Sequence, residues 1–446
     1  MVSPAQTSLT EDVTTTARKS ETDGPVAAAM RPVLEGTFGR NLPIRFVFWD
    51  GSALDPPDRM VATLQFRSSD AIRRLMWMPN ELGLGRAFVS GDIDVDGSLF
   101  DVVVAFRDAK PDVDSASRPW RVVPAAVRAA KRVGALGRPI PPPPEEVRLR
   151  GWRHSSKRDA TAIGHHYDVG NDFYRLVLGP TMTYSCARFT EPDVTLEDAQ
   201  AAKHDLVCRK LGLHERSGAR LLDVGCGWGS MAIHAALHYD ARVAGITISK
   251  AQAELARRRV EEAGVADRVE IRLQDYRDLA GESFDAIASV GMSEHVGHGK
   301  LDQYLATLRA ALGPHGRLLN HAISSVGGST LGPRSFVGRY VFPDGELIDV
   351  GQVVLSMERA GFEVRDVESL REHYARTLRC WVTNLESRWD EAVKLVGEPR
   401  AKIWRLYMAG SAIGFEDGGV AIHQVLGVVP TAAGSSGMPG TRRDWV

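Results

Sequence analysis

The stretch "LLDVGCGWGS", residues 221–230, constrains the fold more than any other part of this chain. Leu221, Leu222 and Val224 read as the end of a buried parallel strand. Gly225, Gly227 and Gly229 then let the backbone turn tightly and approach a ligand closely, because no Cβ stands in the way. A helical pattern (Met231, Ile233, Ala235, Ala236) begins at once. Strand, glycine turn and helix N-terminus together make a nucleotide-binding corner, with the ligand lying across the carboxyl end of a parallel sheet. The glycines alone do not say which nucleotide.

The downstream segments narrow the choice. From about residue 160, strand-like pieces ("LLDVG", "RVAGITI", "RVEIRLQD", "FDAIASV", "GRLLNHAI") alternate with helical ones, which predicts an α/β doubly wound parallel sheet. A dinucleotide fold would place an acidic residue about twenty positions after the glycines to hold a ribose hydroxyl. Here the second strand ends in Thr247, Ser249 and Gln252 instead. Asp275 and Tyr276, after the third strand, can address an adenine amino group and stack on its ring. That set suits S-adenosylmethionine better than NAD. The alternative is a Rossmann-like sheet with ordinary turn residues.

At 446 residues the chain predicts two domains. Residues 1–25 are polar and predict a disordered tail. Residues 26–135 predict a compact α+β domain. Within it, "LPIRFVFWDG" and "RMVATLQF" alternate as half-buried strands, and "SDAIRRLMWMP" suits a helix. "PAAVRAAKRVGAL" is a basic amphipathic helix, and "RPIPPPPEE" opens a semi-rigid linker over 136–158. Residues 159–446 form the second domain.

All 13 histidines and all four cysteines lie beyond residue 150, which places acid–base chemistry there. The cysteines (Cys186, Cys208, Cys226, Cys380) lack paired metal spacing and read as reduced thiols. Lys and Arg number 55 against 56 Asp and Glu, so no charge excess points to nucleic acid. No apolar run reaches the ~18 residues of a membrane span, and residues 1–31 hold no secretory core, so a cytoplasmic location is expected. Charge is uneven locally. Eleven Lys or Arg between Arg118 and Arg158 face only Glu145 and Glu146. Such a segment can attract anionic phospholipid headgroups or serve as a solvated linker face.

The order of "HHYDVGNDFY", "MTYSCARF", "LLDVGCGWGS", "GITISKAQ", "QDYRD", "GMSEHVG", "NHAI", "RYVFPDGEL" and "HYARTLRCW" resembles the cyclopropane fatty-acyl-phospholipid synthase family from about residue 160 to 426. The region before it resembles, more loosely, the lipid-binding domain of phospholipid-acting members. The resemblance implies a Rossmann-like class I S-adenosylmethionine methyltransferase domain behind a smaller lipid-binding one. It implies Tyr184 and Ser185 in the cofactor pocket and Gly225, Gly227 and Gly229 along the amino acid and ribose. Thr247, Ser249 and Gln252 would lie at the ribose, and Asp275 and Tyr276 at the adenine.

The implied reaction methylates a cis double bond within an acyl chain, most simply oleoyl. An alkene needs alignment with the methyl donor in a dry pocket rather than an activating base. The resulting carbocation must be shielded and then lose a proton. In the family a bound bicarbonate is the base, and its cradle maps onto Cys186, Glu294, His321, the Ile323 backbone and Tyr374. Each of these has a plainer reading: Cys186 as a small core residue, His321 as a satisfied core histidine, Glu294 as a helix-capping partner. His166, Tyr167 and Asn171 would support the same pocket. Ser411 stands where some members carry a cysteine, which removes a thiol nucleophile there.

Ser293, Asn320 and "RSFVGRYVFPDGEL" look more like relatives that form a 10-methylene chain than like cyclopropane synthases. The expected partners are phospholipid at the inner membrane surface, a second copy in a homodimer, and a separate reductase acting on the product. A lipid-binding protein with a silenced methyltransferase fold, or a small-molecule methyltransferase, are the competing functions. The first would show eroded cradle positions, and the second would leave the N-terminal domain unexplained.

Overall fold

The computed structural model describes residues 24–109, 119–147, 169–279, 281–328, 332 and 335–444. Residues 1–23 of the tail, His166, Tyr167 and the basic positions of 148–158 lie outside them, while Pro25 of the expected tail begins helix Pro25–Phe38.

In the N-terminal unit, strands β1 (Ile44–Val47), β2 (Ala53–Leu54), β3 (Ala62–Phe66) and β4 (Ile93–Gly97) form a sheet in the order β2-β1-β3-β4. β1 and β3 are parallel, and the other pairs are antiparallel. The alternation read from sequence is realised: Ile44, Phe46, Ala62, Leu64 and Phe66 point into the core. Helices Ser69–Trp77, Glu81–Val89 and Leu99–Asp108 start where Ser68, Asn80 and Ser98 side chains accept from free backbone N–H groups.

The proline-rich segment expected as a spacer is strapped down over its described residues. Glu146 is buried and takes both Arg86 nitrogens, Nε at 2.6 Å and Nη2 at 2.7 Å. Arg74 donates to the Pro141 carbonyl and Trp77 to that of Gly137. Val147 N–H donates to the Arg339 carbonyl, across to the second unit. An extended proline-rich backbone leaves its carbonyls unpaired, and nearby cationic and indole donors claim them.

The second unit is a seven-stranded sheet in the order β10-β11-β9-β8-β5-β6-β7. Its strands are β5 (Arg220–Val224), β6 (Arg242–Thr247), β7 (Val269–Leu273), β8 (Phe284–Val290), β9 (Leu312–Ser325), β10 (Glu363–Ser369) and β11 (Val420–Val428). The expected doubly wound sheet is present and parallel except at one strand, β11, which runs antiparallel to both β9 and β10. Helices Arg371–Ser387, Trp389–Val396 and Glu398–Glu416 bring the chain back to the sheet end where β10 stopped, so Ser369 pairs with His423 and the next strand must run back. β5 lies between β6 and β8, at the point where strand order reverses, and there an open α/β sheet splays its loops to admit a ligand.

The two units share one hydrophobic core. Phe46, Phe88 and Val102 belong to the same cluster as Tyr174, Trp381, Trp404 and Tyr407. A Cβ on Gly85 would sit 2.4 Å from the Phe336 ring, so glycine is what allows this close approach.

Candidate functional site

Two cavities meet at the carboxyl edge of the large sheet. The first, about 150 Å³, is lined by Tyr184, Ser185, Gly225, Gly227, Thr247, Gln252, Asp275 and Tyr276, eight of the residues expected around the cofactor. Gly227 has φ +54° with open space around its Cβ position, and Gly225 at φ +75° would drive a Cβ into Met292. The other two expected residues stand behind the wall. Gly229 begins helix Ser230–Tyr239, with its Cβ position 3.4 Å from Ala256. Ser249 caps helix Lys250–Glu262 by accepting from Gln252 N–H. Thr247 Oγ1 donates to Gln252 Oε1 at 2.9 Å, fixing both. Asp275 accepts from Arg277 N–H, and the buried Tyr276 ring meets Tyr304 edge-on at 4.8 Å.

Sequence reasoning passed over two charged residues of this cavity. Asp223, the last acid of β5, is buried, and its Oδ2 has no hydrogen-bond partner. Burial pushes its carboxyl up to about 7. Lys203 on helix Leu196–Lys210 is also buried and donates to Ser185 Oγ at 2.9 Å. Burial pulls its ammonium down to about 8. A carboxylate and an ammonium in a dry cavity fit the two charges of a free amino acid end, α-ammonium and α-carboxylate. Asp223 was visible within the opening motif, as an acid where a buried strand should be apolar; Lys203 had no sequence signal. Asn171 acts one step removed, accepting from Trp228 Nε1 at 2.8 Å and holding that indole in the wall.

The second cavity, about 500 Å³, is within the ~300–1,000 Å³ range of ligand pockets and is almost wholly apolar. Tyr184, Gly291 and His295 line both cavities and so mark their junction. Glu294, Ile323 and Tyr374 face the second cavity, as does Ser411. Glu294 Oε1 accepts from Ile323 N–H at 2.6 Å, while its Oε2 is buried without a partner. Burial raises this carboxyl to about 7. Ser293 and Asn320 hold the turn that carries it: Asn320 Oδ1 accepts from Ser293 Oγ at 2.8 Å and Ser289 Oγ at 3.3 Å.

The rest of the expected cradle is arranged differently. The Ile323 amide, expected to face a bound anion, is spent on Glu294. Cys186 lines neither cavity, and its thiol, raised by burial, donates to the Ala187 and Leu370 carbonyls. His321 also lines neither and is buried opposite Gln424, its partner on β11. Its Nδ1 lies 3.1 Å from Gln424 Nε2. The ring's Nε2 is buried and unpartnered. Burial holds His321 well below its ordinary pKa, so the ring is neutral. Among the described residues no cluster of His, Cys, Asp or Glu could hold a metal.

A family profile described as mycolic acid cyclopropane synthetase matches residues 154–425. A protein of Mycobacterium tuberculosis named "Probable fatty acid methyltransferase" is 42% identical over 406 residues, 89% of this chain and 93% of its own length. A second protein of that organism, named tuberculostearic acid methyltransferase UfaA1, is 32% identical over 416 residues, covering 90% and 92%. The solved structure of a mycolic acid cyclopropane synthase, CmaA1, complexed with SAH and CTAB superposes with a TM-score of 0.56 at 34% identity. That match covers 60% of this chain and 97% of the other.

Proposed function

This chain belongs to the mycolic acid cyclopropane synthetase family and is an S-adenosylmethionine-dependent methyltransferase; on that premise we propose that it methylates the cis double bond of an oleoyl-type phospholipid acyl chain, giving a 10-methylene chain. The observation that carries this reading is the junction. A small cavity with buried opposite charges meets, at Tyr184, Gly291 and His295, a large apolar one whose Glu294 carboxylate keeps one oxygen unpartnered.

S-adenosylmethionine, when bound, supplies an electrophilic methyl group. Lys203 and Asp223 would hold its carboxylate and ammonium, Thr247 and Gln252 the ribose side, and Asp275 and Tyr276 the adenine. The apolar lining excludes water, and Tyr184, Tyr374, Tyr407 and Phe342 turn aromatic surface toward the carbocation left on the acyl chain. Tyr184 and Tyr407 hold each other through their hydroxyls at 3.3 Å.

Proton removal falls to the Glu294 side of the junction. Bicarbonate, when bound there, supplies the base. One orphaned atom suits it: Glu294 Oε2 can accept from its hydroxyl, whereas His321 lies behind the wall, in neither cavity. A hydride shift to the neighbouring carbon before a proton leaves the new methyl group gives the methylene product. Loss of that proton with ring closure gives the cyclopropane. The likeness to a protein named for tuberculostearic acid supports the first outcome, and the family's name supports the second. A saturated branch would then require a separate reductase.

The approach to bilayer lipid is supported by one face of the N-terminal unit. Trp77, Val123, Val127 and Leu136 are exposed beside the cationic Arg128, Lys131, Arg132 and Arg138. Apolar insertion together with cationic attraction suits an anionic surface. No helix among the described residues is long and apolar enough to cross a membrane.

Lipid extracted from a host expressing the chain tests the reading. Oleoyl species should gain one methylene unit. The methylene and cyclopropane products are isomers, so proton NMR separates them: olefinic signals of an exocyclic methylene against the high-field signals of a strained ring. No mass gain on any unsaturated phospholipid would overturn the function.

A further inference from the structure

The large cavity does not stay within the methyltransferase unit. Its far wall is the N-terminal unit: Leu64 of β3, Ile93 of β4, Phe88 of helix Glu81–Val89, and Leu99 and Val102 of helix Leu99–Asp108. Each is at most 4% exposed, so this part of the wall is the unit's own core, closed to solvent. Gly410 and Gly414, one turn apart on helix Glu398–Glu416, line the route to this floor. The Cβ position of Gly410 opens on empty space, and that of Gly414 lies 3.6 Å from Val420.

A phospholipid acyl chain has one end that can enter an apolar dead end. The ester end carries a charged headgroup whose burial without partners would be prohibitive, so the terminal methyl must go in. The junction at Tyr184, Gly291 and His295, beside Glu294, fixes where the double bond reacts. We infer that the N-terminal unit is a ruler: the distance from the junction to the floor at Leu64, Phe88, Ile93, Leu99 and Val102 selects double bonds by their spacing from the methyl end of the chain. This rests on the reading that the cavity takes an acyl chain.

Three phospholipids test both, each assayed with the full-length enzyme for methyl incorporation. Oleoyl chains have their double bond equally far from both ends. Two sixteen-carbon chains then break the tie, one keeping oleoyl's spacing to the methyl end and the other its spacing to the carboxyl end. A tail too short by two methylenes leaves the floor unfilled, and a single methylene in an apolar pocket is worth about tenfold or more in kcat/KM. The chain with the methyl-end spacing should therefore exceed its partner by at least about tenfold. Equal rates, or a preference for the carboxyl-spaced chain, would overturn the ruler while leaving acyl methylation intact. Activity on none of the three would remove the acyl-chain reading and the ruler with it. Val102→Phe raises the floor and should move the preference toward chains shorter on the methyl side. An active Val102→Phe enzyme with the unaltered preference would refute the placement of the floor.

Discussion

Glu294→Gln should make the protein more stable and less active at once, and the pH dependence of the two effects should run in opposite directions. Burial raises this carboxyl from an ordinary 4.5 to about 7. At about 1.4 kcal/mol per pH unit, keeping the group ionised inside the fold opposes folding by roughly 3 kcal/mol. The folded value lies above the unfolded one, so the native state holds its proton more tightly. Stability from this group is fully present below pH 4.5 and is lost as pH rises toward 7.

Glutamine keeps the shape and can still accept from Ile323 N–H, but it has no charge to desolvate. The variant should therefore match the wild type near pH 4.5 and exceed it by up to roughly 3 kcal/mol at pH 8. In a chain of this size that is a melting shift of about 3 °C. Comparing the two proteins at each pH cancels Asp223, Lys203 and every other group they share. Turnover should follow the reverse course. The wild type should gain over the variant as pH rises through about 7, where Glu294 becomes the anion that can take or direct a proton. Paired thermal melts and turnover across pH 5 to 8 make the check. A stability difference independent of pH would mean that Glu294 is not held desolvated, and the argument for its role would fail.

Gly227→Val places a branched side chain, at φ +54°, in the open space of the cofactor cavity; S-adenosylmethionine affinity should fall by about a hundredfold or more by calorimetry, with the fold retained. Lys203→Met removes the buried cation, and it should raise the cofactor's Kd while leaving turnover at saturation less affected. Depleting dissolved carbonate should slow the wild type, and added bicarbonate should restore it; Glu294→Gln should respond weakly, since it lacks the carboxylate that would orient the ion's hydroxyl. Unchanged wild-type turnover on depletion would make Glu294 itself the base. Liposome co-sedimentation should rise with anionic lipid and fall with salt if the face around Trp77 and Arg128 docks on a bilayer, and indifference to both would remove that role.

The sheet, its glycine corner and most of the small cavity's wall were legible from sequence because they follow from local rules. A buried strand, positive-φ glycines and a capped helix are written in adjacent residues, so Gly225, Gly227, Thr247, Gln252, Asp275 and Tyr276 could be found in order. Glu294 and Tyr374 were named from resemblance, and the fold does bring them to one cavity across eighty residues of chain. Three things were decided only by tertiary packing. His321 is buried beside Gln424, away from either cavity surface, and the Ile323 amide turns to Glu294 instead of an open site. Burial, which no sequence window reports, shifts the proton affinities of Lys203 and Asp223 and sets that of Glu294. The far wall of the large cavity has no sequence signature. Leu64, Phe88 and Val102 read as ordinary core residues of one domain, and they become a binding surface only because another domain's helices stop short of filling the space in front of them.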